Sequence, residues 1–91
     1  MTDLREAILK AIEEYNKYRS PEAKASLVSI NGVDFTIDFE GTFCQTCGVY
    51  DYLEDLIYEL QSFIDVDIEI SSFKEYESGK IRAIYKLKRT N

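Results

Sequence analysis

Histidine is absent from this 91-residue chain, and much ordinary enzyme chemistry goes with it. No Cys–His pair or Ser–His–Asp triad can form. The usual general base at neutral pH is missing, and so is the commonest metal ligand. Proline occurs once, at Pro21, and cysteine only twice. Basic residues number 11 against 17 acidic ones, for a formal net charge of −6. That sign repels nucleic acid and anionic membranes, because phosphate binding runs on Lys and Arg contacts. No apolar run approaches the ~20 residues of a membrane span. The start, Met1-Thr2-Asp3-Leu4-Arg5-Glu6, lacks the basic and apolar stretches of a signal peptide. The expectation is a cytoplasmic chain, where thiols normally stay reduced.

Composition is otherwise that of a globular protein, and residues 1–91 read as a single α+β domain. Leu4, Ala7, Ile8, Ala11, Ile12 and Tyr15 recur at helical spacing, which predicts a helix from about Asp3 to Tyr18. Asp3 can cap it, with Glu6 at the capping-box position. Pro21 stops it or starts a turn. Two apolar runs then flank Asn31-Gly32, the preferred pair for a two-residue type I′ hairpin. That turn would pair Ile30 with Val33 and Val28 with Phe35. Val33, Phe35, Ile37 and Phe39 would face the core.

A second helix is predicted from about Gly48 to Phe63, on the stripe Val49, Leu53, Leu56, Ile57, Leu60 and Phe63. Two more alternating strands follow, one from Ile64 to Ile70 and one from Ile81 to Lys88, with a turn at Glu77-Ser78-Gly79-Lys80. Charge then orders the sheet. Outward residues of the second strand (Asp34, Asp38, Glu40) and third strand (Asp65, Asp67, Glu69) are acidic. Those of the fourth (Arg82, Lys86, Lys88) are basic. Opposite charges on neighbouring strands are favourable by about 0.2–1 kcal/mol a pair. The fourth strand therefore belongs between the second and third. The predicted fold is an α-β-β-α-β-β two-layer sandwich. Its four-stranded antiparallel sheet has the order 1-2-4-3, with two helices on one face. Ile84 is the exception on the outward face, a solitary exposed residue or part of a dimer contact.

The chemistry concentrates at Cys44-Gln45-Thr46-Cys47-Gly48, between a strand and a helix. Two thiolates at i and i+3 can bite one metal centre, zinc or iron–sulfur. The same spacing serves a dithiol/disulfide pair, since a helix N-terminus favours thiolate. It also serves a tight turn filled by two small apolar side chains. Asp51, Glu54 and Asp55 just downstream work against a bare thiolate. The cofactor-binding and metal-ligand candidates are Cys44 and Cys47. With two thiolates per chain, a tetrahedral site is half filled, so a metal reading requires a homodimer or a protein partner.

From Ile12 to Leu60 the chain resembles the C-terminal scaffold domain of NifU-like iron–sulfur cluster assembly proteins. A helix and hairpin lead into a glycine, then Cys-x-x-Cys, then a helix. The matching motif is Gly41-Thr42-Phe43-Cys44-Gln45-Thr46-Cys47. PaaD–MIP18-like domains of the same superfamily also carry a cysteine at this corner and a strand after the second helix, as Asp65–Ile70 does here. The resemblance implies that Cys44 and Cys47 hold a cluster shared between two subunits. This chain has two residues between the glycine and first cysteine where the NifU-like motif has one, and it lacks a Gly-Gly-Asp before the hairpin.

Seven tyrosines scatter over several elements without a shared spacing. A nucleic-acid stacking platform would interleave them with basic residues. Tyr50 and Tyr52 are followed by acids instead, so core edge or subunit interface is the reading. Asp51, Glu54, Asp55 and Glu59 read as a solvated helix face, with no calcium-loop pattern beside them. No carboxylate pair stands out as a general acid and base, and no catalytic residue is nominated. Three functions follow: metal or iron–sulfur handling, thiol–disulfide exchange, and a non-catalytic interaction domain.

Overall fold

The computed structural model describes residues 4–19, 23–41 and 49–88. The elements are α1 (Leu4–Arg19), β1 (Lys24–Asn31), β2 (Asp34–Glu40), α2 (Val49–Gln61), β3 (Asp67–Glu77) and β4 (Lys80–Lys88). The strands form one antiparallel sheet in the order β1-β2-β4-β3. This is the order that the alternating charges require. Arg82 of β4 donates to both carboxylate oxygens of Asp38 on β2, at 2.7 and 3.0 Å. Lys88 of β4 pairs with Glu69 of β3 at 3.4 Å. No described helix is long and apolar enough to cross a membrane.

Both helices lie on one face, because both carry a single apolar stripe. Ala7, Ile8, Ala11, Ile12 and Tyr15 of α1 and Leu53, Leu56 and Leu60 of α2 are buried. They close over Phe35, Ile37 and Phe39 of β2 and Ile81, Ala83 and Tyr85 of β4. The aromatic rings at the centre are ordered. Phe35 stacks on Tyr85 with centroids 5.1 Å apart, and Tyr15 meets Phe39 edge-on at 5.6 Å. Asn16 of α1 fixes the outer edge of β1. Its side chain donates to Ala25 O and accepts from Ala25 N.

The first hairpin departs from the expected register. Asn31 pairs with Asp34 and Ile30 with Phe35, so Gly32 and Val33 form the turn. Gly32 has φ +61, and no non-glycine residue described has positive φ. That is the type II′ signature, glycine first, rather than type I′, which needs positive φ at both central residues. Val33 is consequently 45 % exposed instead of core-facing. The moved turn keeps Ile30 facing inward, opposite Phe35. A bulge at Val28 then changes the alternation of β1, leaving Val28 exposed and turning Leu27 and Ala25 to the inner side, opposite Ile37 and Phe39.

The third strand also differs. It starts at Asp67 and continues to Glu77, well past the alternating stretch. Beyond Ile70 its residues are exposed, and among the described residues a helix touches them only where Tyr50 of α2 meets Phe73. Pairing with β4 holds that half in the sheet, with Tyr76 reaching Asp38 of β2.

The Asp38–Arg82 pair makes one prediction. Hydrogen bonds from Arg82 hold the Asp38 carboxyl below its ordinary value, against a smaller opposing desolvation. A depressed folded pKa stabilises the fold above the unfolded value of about 3.9. That contribution disappears as pH falls through the folded value. Asp38→Asn should therefore be less stable than the parent at pH 7, and the gap should close below about pH 4. Urea titrations at both pH values measure it. A gap unchanged at low pH would contradict the depressed pKa.

Candidate metal centre and its frame

Cys44 and Cys47 lie outside the described residues, within 42–48. The structure defines what stands on either side of them. On the upstream side, β2 ends at Glu40, and the Gly41 N–H donates to Gly79 O at 3.0 Å. Gly79 sits in the β3–β4 turn with φ +77, a conformation that side chains disfavour. A Cβ there would also stand 3.0 Å from Gly41 O. Two glycines thus let the backbones touch where the cysteine segment leaves the sheet.

On the downstream side, α2 is held from two directions. Tyr15 of α1 donates its hydroxyl to Tyr52 O at 2.9 Å. Tyr85 of β4 donates to Leu53 O at 2.8 Å. Both phenols are almost wholly buried. Desolvation pushes both pKa values above the ordinary tyrosine range, so they stay neutral donors. Tyr50, in the first turn of α2, meets Phe73 of β3 with ring centroids 6.1 Å apart, and both rings are about half exposed. The cysteine segment therefore leaves one fixed point and enters another.

The acidic residues of α2 do not make a second centre. Asp55 is ion-paired with Arg19, whose guanidinium lies 5.5 Å from the centre of the Tyr52 ring. Among the described residues, no group of three or more carboxylates or thiols is placed to hold a metal.

Sequence reasoning placed the tyrosines at the core edge or an interface and missed the two clamps. Their signal was present. Tyr15 and Tyr85 occupy core positions in their respective periodicities, and a buried tyrosine hydroxyl needs a partner. Tyr15→Phe and Tyr85→Phe should each cost about 1 kcal/mol, the ordinary net worth of a hydrogen bond. Amide exchange at Leu56 and Ile57 should quicken in the variants, since their N–H groups bond the same two carbonyls. Exchange unchanged in both variants would show that the hydroxyls do not hold the helix.

No protein-family model matches the chain, and no curated protein sequence does. Among solved structures, an H-NOX family protein investigated for heme distortion shares the fold. The TM-score is 0.52 at 15 % identity, over 99 % of this chain and 49 % of that one. The chain thus spans about half the length of that protein, and the likeness is one of fold.

Proposed function

We propose that the chain is a metal- or iron–sulfur-handling module whose ligands are Cys44 and Cys47. It works reduced, in the cytoplasm, as a homodimer or with a protein partner. One observation carries this reading. The chain's two thiols, at i and i+3, sit in a short segment anchored by Gly41 against Gly79 at one end and by the clamped α2 at the other. A ligand pair gains affinity when its frame is ordered before the metal arrives.

Charge favours metal binding over disulfide exchange. Asp51 stands in the first turn of α2, the only charge there, and it is acidic. It raises the cost of a bare thiolate, which a redox cysteine needs. It lowers the cost of a bound cation. The NifU-like and PaaD–MIP18-like resemblance points the same way. The H-NOX family protein of the same fold was studied for heme distortion. Heme itself suits this chain less well. Without histidine, an axial ligand would have to be cysteine, methionine or tyrosine.

The test is the iron, zinc and acid-labile sulfide content of protein purified without oxygen, with its absorption spectrum. The expected result is about one metal centre per two chains, with thiolate charge-transfer bands. Protein that stays colourless and metal-free after reconstitution with iron and sulfide, or with zinc, would overturn the proposal.

A further inference from the structure

The helices cover one face of the sheet, and among the described residues nothing covers the other. That open face differs in charge from the rest of the molecule. By register it carries six acidic and six basic residues. The chain's formal −6 therefore comes from other positions. A second copy can approach this face without meeting the repulsion it would meet elsewhere.

The charges are also arranged in strips. Asp34, Asp38 and Glu40 lie along β2, level with Lys86, Arg82 and Lys80 along β4. Ile84, level with Thr36, lies between them and is 37 % exposed. Beside it runs a groove of about 580 Å³, lined by Ser72, Phe73, Lys74, Tyr76, Arg82 and Ile84. Tyr76 crosses β4 over Arg82 and donates its hydroxyl to Asp38.

We infer that the open sheet face pairs with the same face of a second copy. The two-fold axis runs parallel to the strands, between β2 and β4. About that axis each acidic β2 strip faces the basic β4 strip of the other copy, and both contacts are made at once. Residues keep their level along the axis. Asp34 thus meets the second copy's position 86, and Thr36 meets position 84. An axis across the strands would set acid on acid. The packing is the aligned sheet-on-sheet kind, about 10 Å apart and near −30°. Four strands about 4.8 Å apart and some 25 Å long give a footprint of roughly 500 Å² on each copy. That is small beside the ~800 Å² per partner of a standard interface. The dimer is therefore weak, with a dissociation constant on the order of tens of micromolar.

Sedimentation equilibrium of the reduced, metal-free chain over micromolar to millimolar concentration tests the pairing. The parent should move reversibly from monomer to dimer. Ile84→Asp, at an exposed position, should keep its circular dichroism and raise the dissociation constant about a hundredfold, by placing a charge in the centre of the contact. Lys86→Glu and Asp34→Lys should each weaken self-association. Mixed in equal amounts, they should form a heterodimer, since each strip then faces its opposite. A chain that stays monomeric throughout, or a dimer indifferent to all three changes, would overturn the inference and leave the thiol proposal standing. A dimer that takes up neither zinc nor iron would do the reverse.

Discussion

Replacing either Cys44 or Cys47 by serine is expected to abolish metal binding and leave the fold intact. A structural zinc site in a small domain is worth roughly 10–16 kcal/mol over about four ligands. One thiolate then accounts for about 3–4 kcal/mol. In a site shared by two copies, one substitution removes two ligands at once. The expected loss is therefore roughly 10⁴-fold or more in apparent affinity. On this reading the thiols serve the metal rather than the core, so circular dichroism and the thermal midpoint of the metal-free variant should match the metal-free parent. Equilibrium dialysis against zinc, with a chelating competitor, gives the affinity. A serine variant that binds metal as tightly as the parent would show that the thiols are not the ligands.

Phe39→Ala is expected to have the largest effect on stability. The Phe39 side chain is fully buried at the centre of the aromatic group, edge-on to Tyr15 and 6.5 Å from the Tyr85 ring. Removing a buried phenylalanine costs about 3–5 kcal/mol in transfer and cavity terms. A domain of this size has roughly 5–15 kcal/mol in all. The midpoint should fall by roughly 15–30 °C. Val33→Ala is the matched control. Sequence alternation alone would put Val33 in the same core row, but the structure leaves it 45 % exposed in a turn. Its truncation should stay within about 0.5 kcal/mol of neutral. If the two variants lose comparable stability in urea, the slipped register of the first hairpin is wrong.

Why the sequence reveals some of this and not the rest can be argued from these residues. The order β1-β2-β4-β3 was legible because the outward charges on β2, β3 and β4 carry information about neighbours. The helix stripes were legible because each helix buries one face. Register was not, because Asn31-Gly32 is compatible with two hairpin turns one residue apart. Moving the turn by one leaves Ile30 facing in, but the bulge at Val28 inverts the alternation beyond it, so Leu27 and Ala25 face in where Val28 was expected. A lone extra valine leaves no signature in the chain. The outer half of β3 was missed because Ser71–Glu77 has no buried face to impose alternation. The tyrosine clamps were missed because their acceptors are backbone carbonyls of α2, and any residue type provides a carbonyl.

The site divides along the same line. The Cys-x-x-Cys pair and its strand-to-helix setting are visible in the sequence. Its frame is not, because Gly79 lies 38 positions beyond Gly41, and the contact between them is made by the backbone. Charge neutrality of the open face becomes visible only once strand order and register are known. Each strand alone looks simply acidic or basic.

The central claim is that two chains supply the thiolates of one metal centre. Anaerobic titration of the reduced, metal-free protein with cobalt(II) tests it most directly, because tetrahedral thiolate coordination gives intense charge-transfer and visible bands. The expected result is saturation at one cobalt per two chains, with bands characteristic of four sulfur ligands and loss of free thiol in step. Saturation at one cobalt per chain, or a spectrum without thiolate bands, would contradict it.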